Sequence, residues 1–295
     1  AMNRRRSPWA GLLIGLSLIT GACRGPAEAP ASGDGASADR ADETAPGSPA
    51  AGDAATGAVG DSGPAGGAPA QADTAARAAY LQAYAELAHR GYADSLAAAQ
   101  ELSAAIETLL EEPSVGKLEA ARRSWVAGNR IYSRTEVLRF YGGPIDDPEG
   151  GPEGRLNAWP LDEAYLDYVS GDDVAGLVQA VTAHPQLSAE LLVSLNEQGG
   201  EANVSTGWHA IEFLLWGQDQ SETGPGNRSF EDYVVGKGAN AGRRAQYLTV
   251  ATELLIDDLT TVTKAWEPNA KNYRAKFEKG GKESVRKIIV GLGSL

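Results

Sequence analysis

A histidine and a glutamate stand three residues apart, at His209 and Glu212, inside the apolar run Gly207-Trp208-His209-Ala210-Ile211-Glu212-Phe213-Leu214-Leu215-Trp216-Gly217. An imidazole and a carboxylate are groups that ligate metals, relay protons or hydrogen-bond each other. On a helix, positions i and i+3 share a face, so both heads point the same way. Surrounded by Trp208, Ile211, Phe213, Leu214, Leu215 and Trp216, the pair is expected in a greasy interior. There it is costly unless it bonds a partner, a metal or itself. On the motif alone, a metal-free His209–Glu212 hydrogen-bonded network is the better account. The chain has three histidines; the other two, His89 and His184, occupy ordinary helical or loop contexts and are expected at the surface.

Other carboxylates stand in suggestive places. Leu118, Trp125, Tyr132 and Glu136 are spaced seven, seven and four apart, which puts Glu136 on or beside the apolar stripe of a helix. An ion pair with Arg134 or Arg139 explains the same residue equally well. The loop Gly143-Pro144-Ile145-Asp146-Asp147 and the stretch Asn157 to Tyr165 mix acids with rigid and aromatic residues, as packed loops do. Asp162 and Glu163 follow Pro160 in a first helical turn, where carboxylates also help simply by facing the helix dipole. Arg243 and Arg244 open a long helix, where the dipole disfavours cations, so an acidic partner is expected for them. A catalytic zinc takes three protein ligands and a water. Here Ala210 follows the histidine, no second histidine lies one turn away, and none comes after His209. One imidazole among many carboxylates suits a harder ion, iron or calcium, better than a zinc hydrolase.

The elements that must position these groups are helical. Thr74 to Glu112 is rich in Ala, Leu and Glu, with Gly91 a point of kinking or splitting. Pro113-Ser114 stops it and caps a second helix over Val115 to Tyr141. Short helices are expected at Leu161 to Tyr168, Asp172 to Ala183 and Pro185 to Asn196. The signature helix starts at Ser205 or Thr206, both good caps, and ends at Gly217. A long helix covers Ala241 to Trp266, and two short ones close the chain. No alternating strand pattern appears, so the fold class is an all-α bundle.

The N-terminus reads as an export signal over residues 1–22: Arg4 to Arg6, then an apolar core from Trp9 to Ile19 too short to span a bilayer comfortably. Thr20-Gly21-Ala22-Cys23 resembles a bacterial lipobox, with Cys23 the lipidated residue; ordinary secretory cleavage near Ala22 is the alternative. Residues 23–72 are then a lipid-bearing cysteine and an Ala/Gly/Pro linker, which buries too little apolar area to fold. The helical domain is expected over 73–295. Arg24 after the cysteine points to the outer membrane, so the protein is expected to be lipid-anchored in the envelope, facing the periplasm or surface. Cys23 is the sole cysteine, which excludes an intramolecular disulfide. Loss of residues 1–22 removes three arginines and no acid, taking the formal charge from −13 to −16. Such a surface repels nucleic acid and attracts cations.

Trp125 to Glu136, the Gly143-Pro144-Ile145-Asp146 loop, Asn157 to Tyr168, Gly207 to Asp219, and Arg243-Arg244 with Tyr247-Leu248 together resemble the imelysin family. These are bacterial envelope proteins named after an insulin-cleaving membrane protease, and they include iron-regulated and iron-uptake components. The similarity covers nearly all of 75–295, and its most specific part is Gly-x-His-x-x-Glu, here Gly207, His209 and Glu212. The resemblance implies two bundle-like halves with this motif near their interface. It also implies that Glu136 and the acidic loops contribute to the site. Family members continue past the Gly-Leu-Gly-Ser-Leu at 291–295, so the C-terminal half reads as shortened. The function expected is binding of a metal ion, iron before zinc or calcium, in support of uptake. His209 and Glu212 would be primary ligands, Glu136 a third, and Asp146 and Asp162 further candidates, with iron-uptake components as partners. The alternatives are a metal-dependent peptidase working through Glu212 or Glu136, and a non-catalytic scaffold for haem or a partner protein.

Overall fold

The computed structural model describes residues 68–295; the export signal, Cys23 and most of the linker lie outside the described residues. Helix α1 (Ala68–Glu111) is 44 residues long and begins inside the stretch read as linker. It passes through Gly91 without a break. A Cβ there would stand 3.2 Å from Thr135 Cγ2, so glycine lets α1 lie close against the chain that follows the next helix. Ser114 caps α2 (Val115–Ser133) by accepting the Lys117 amide.

Helix α2 stops well short of Tyr141. Thr135 donates its hydroxyl to Tyr132 O at 2.7 Å, and a 3-10 turn over Glu136–Leu138 follows. The amides of Tyr141, Gly142 and Gly143 then go to the carboxylate of Asp146, at 2.8, 3.1 and 2.8 Å. The helix has already stopped where the amides of Arg134 and Thr135 turn to Ile131 O and Tyr132 O, and the side chain of Asp146 then keeps residues 141–143 out of a helix.

Four short helices come next: α3 (Glu153–Leu156), α4 (Glu163–Leu166), α5 (Gly176–Gln179) and α6 (Ala189–Leu195). Helix α7 (Gly207–Trp216) carries the His-x-x-Glu motif. A 3-10 turn at Phe230–Tyr233 leads to α8 (Ala241–Ala265), α9 (Tyr273–Lys279) and α10 (Lys282–Gly293). Among the described residues the fold is therefore all-α, and the one extended pairing recorded is a bridge between Val169 and Asp172.

One core runs through these helices, with α1 packed on α2 and α8, and α7 wedged against α2 and α8. Trp208 is fully buried; its ring meets Tyr132 and Trp125, and the Trp125 indole donates to Trp208 O at 2.8 Å. Gly128 makes room for it, since a Cβ there would lie 2.8 Å from the Trp208 ring. Thr206 occupies the cap position of α7 without capping it. Its hydroxyl is bound instead to Arg155 O and Asn196 Oδ1, at 3.0 and 3.1 Å. Arg155 in turn grips Asp258 of α8 side-on through Nε and Nη2, at 3.1 and 2.7 Å. The start of α7 is thus tied to α3, α6 and, through Arg155, α8.

Candidate functional site

Ten residues of α7 offer one stripe to the outside. Gly207, Trp208, Ala210, Ile211, Phe213, Leu214 and Leu215 are buried, whereas His209, Glu212 and Trp216 are partly open. Spacings of three and four put these three on one face. The expectation of a greasy interior is corrected accordingly: the His209 side chain is 21% exposed and that of Glu212 40%. The helix is so apolar because three sides of it are core, and its two polar groups take the fourth.

His209 Nδ1 lies 3.0 Å from Glu212 Oε2. With Nδ1–H donating to Glu212, the Nε2 lone pair is left free to accept a hydrogen bond or ligate a metal. Trp159, 68% exposed, places its ring 4.8 Å from the imidazole. These side chains open on a cavity of about 280 Å³, lined further by Leu161, Glu163, Phe213, Trp216, Gly217, Asp219, Pro225 and Gly226. Three carboxylates and no lysine or arginine face it, so the space favours positive charge. Aromatic rings on several sides add to that preference.

The other carboxylates expected at the site stand elsewhere. Glu136 is half exposed and pairs with Arg139 at 3.3 Å, the ion-pair alternative weighed from sequence. Asp146 holds the three loop amides described above. Asp162 caps α4, accepting the Ala164 amide at 3.0 Å. None of the three lines the His209 cavity. Glu163 and Asp219 do; Glu163 opens α4 and Asp219 follows the end of α7, so the folded path of the chain, not spacing along one helix, brings Glu163 to the motif.

A buried charge network stands behind this cavity. Arg244 of α8 is fully buried and paired with Asp167 through Nε and Nη2, at 2.6 and 3.1 Å. Its Nη1 donates to the carbonyls of Asp232 and Ala239. Arg228 Nη1 bridges Asp167 and Asp232 at 3.0 and 2.9 Å. Burial pushes the Asp167 carboxyl up, but the hydrogen bond from Arg244 and the charges of Arg228 and Arg244 outweigh it and hold its pKa below the ordinary value. Arg244 thus has the acidic partner that its place at a helix start demanded. Arg243 instead donates to the carbonyls of Leu177, Val178 and Pro185, closing the end of α5. Asp167 and Arg228 lie far apart in sequence and follow no periodic pattern, so only the folded chain reveals them.

The comparisons agree with this architecture. Residues 88–295 match the family model described as imelysin. A protein named iron-regulated protein A, from Synechococcus elongatus, is 31% identical over 83 residues, which is 28% of this chain and 22% of that protein. The matched stretch therefore spans under a quarter of that relative's length. With a helical bundle observed and more than half of its length matched, the chain belongs to the imelysin family.

Proposed function

We propose that this chain is an envelope protein of iron handling, lipid-anchored through Cys23, whose His209 cavity receives a metal ion together with ligands that the chain does not supply. The observation that carries this reading is the open stripe of α7. A core helix spends its one exposed face on an imidazole and a carboxylate, over a cavity bounded by two further acids. Family membership and the name of the iron-regulated relative support the choice of iron. Among the described residues, no three His, Cys, Asp or Glu side chains converge closely enough to hold an ion. A resident centre built from His209, Glu212, Glu136, Asp146 and Asp162 together does not fit this geometry. Two donors fit an ion that arrives partly coordinated by a chelator or a partner.

The same count offers no footing for the peptidase alternative, which asks for three ligands and a water. The scaffold alternative gains from Trp159, a large aromatic ring left open at the cavity mouth beside His209. Among the described residues no helix is long and apolar enough to cross a membrane.

Calorimetric titration with ferrous and ferric iron, free and as a citrate complex, tests the proposal. Affinity should fall by about tenfold or more in His209→Ala and in Glu212→Gln, the loss of one metal ligand or its partner. Unchanged affinity in His209→Ala removes the proposed ligand. Weakening confined to Trp159→Ala transfers the cavity to an organic ligand.

A further inference from the structure

Beside the His209 cavity lies a second one of about 480 Å³, and the two share a wall made by Trp216, Gly217, Pro225 and Gly226. Arg228 reaches this wall from the buried network. Both of its ion pairs use Nη1, whereas Nε and Nη2 are buried and make no hydrogen bond. The guanidinium carbon sits 5.0 Å from the Tyr168 ring centre and 5.6 Å from that of Phe213, so aromatic faces fix its plane. Its side chain is 1% exposed. A buried donor edge with no acceptor is rare in folded proteins and asks for an explanation.

That edge backs onto Gly217, in the wall of the second cavity. A Cβ on Gly217 would lie 3.4 Å from Nε and 3.6 Å from Nη2, and Gly217 holds a positive φ of 68° that disfavours any side chain. Glycine thus keeps side-chain atoms out of the space between the guanidinium edge and the cavity. Around the same cavity stand neutral hydrogen-bonding groups, among them Ser170, Gln218, Ser221 and Asn227. Gln218 Oε1 already accepts from the Ser170 amide and from Gln220, which leaves its amide nitrogen to donate inward. Ser221 Oγ accepts from the Thr223 and Gly224 amides, which leaves its proton to donate.

We propose that this second cavity binds a carboxylate group of a small organic ligand, received side-on by Nε–H and Nη2–H of Arg228. The two parallel donors on one edge of a guanidinium match the two oxygens of a carboxylate. Charge selects the class further. Arg228 and Arg244 are balanced by Asp167 and Asp232, and Asp173 stands on the cavity lining. Geometry rather than excess positive charge must hold the guest, which favours one carboxylate over a phosphate dianion. Because both nitrogens are shut from solvent, the ligand seats only as the loop over 218–226 yields.

The test uses the intact, iron-free protein titrated with acetate, succinate and inorganic phosphate, read by calorimetry and by the Arg228 Nε–H resonance of nitrogen-15-labelled protein. Acetate and succinate are expected to bind and to move that resonance. Gly217→Ala, whose methyl would stand 3.4 Å from Nε and 3.6 Å from Nη2, should weaken both by about tenfold or more, the equivalent of one lost charge-assisted hydrogen bond. His209→Ala should bind them as the wild type does, so the iron reading can fail without touching this one. The proposal is overturned by an absence of binding into the millimolar range, by an unmoved Nε–H resonance, by phosphate binding as tightly as succinate, or by undiminished affinity in Gly217→Ala.

Discussion

At the scale of single residues, the chain separates charges held for the fold from charges left open. Asp167 is fully buried and accepts from Arg244, Arg228 and Gln179. Removing its charge takes from buried Arg244 its paired carboxylate and leaves Arg228 only Asp232, and breaking a buried pair from one side costs about 3–5 kcal/mol. Asp167→Asn should therefore lower the unfolding free energy by that amount in urea denaturation, with side-chain volume nearly conserved. His209 and Glu212 face the other way. Their hydrogen bond is partly in solvent, where such pairs contribute about 0–1 kcal/mol, so His209→Ala should leave the urea midpoint nearly unmoved. A large destabilisation in that variant would assign the pair to the core rather than to the cavity. The His-x-x-Glu spacing was legible in sequence because a helix period makes it so. The Asp167–Arg228 contact was not, since nothing local in the chain encodes a partner brought in from a distant loop.

At the scale of elements, α7 depends on two glycines, Gly207 at its own start and Gly128 in α2 beneath Trp208. Gly207 has φ of 80°, and a Cβ there would run into the carbonyl oxygens of Arg155 and Leu156. Gly207→Ala should cost more than about 2 kcal/mol, from left-handed strain plus displacement of backbone that cannot yield cheaply. Gly128→Ala pushes against the Trp208 ring and should cost about 1–3 kcal/mol by overpacking. Gly116, also in α2, has nothing within 4 Å of where its Cβ would be. Gly116→Ala should be neutral or stabilising by about 0.5 kcal/mol, through helix propensity alone. Thermal unfolding of the three variants ranks them, and a Gly207→Ala protein as stable as Gly116→Ala would contradict the docking described for α7. The glycine of Gly-x-His-x-x-Glu is therefore a packing requirement at the point where α7 enters the bundle. The bounds of α7 and α8 agree with the sequence reading although neither Thr206 nor Asn240 caps through its side chain, while α2 ended early where the amides of Arg134 and Thr135 turn to Ile131 O and Tyr132 O.

At the scale of the whole molecule, acid pH should expose the buried network. The all-α class followed from composition and periodicity, but the fold's sensitivity to protons depends on a charge cluster that neither reveals. The folded-state pKa of Asp167 is lowered from 3.8. A depressed carboxylate contributes stability in full above its unfolded pKa and loses it as pH falls through the folded value. From this group the unfolding free energy should be flat through neutral pH and decline below about pH 4. Other terms act at the same time. The chain carries a formal charge of −13, so protonation of surface acids relieves repulsion and opposes the decline. The comparison of wild type with Asp167→Asn removes those shared terms. Between neutrality and about pH 4 the two urea midpoints should differ by a constant amount, and below it the gap should narrow as the wild type loses its carboxylate. A gap that stays constant to the lowest pH at which both fold would mean that Asp167 is not the group whose protonation loosens the bundle. A gap that widens would reverse the sign of its shift.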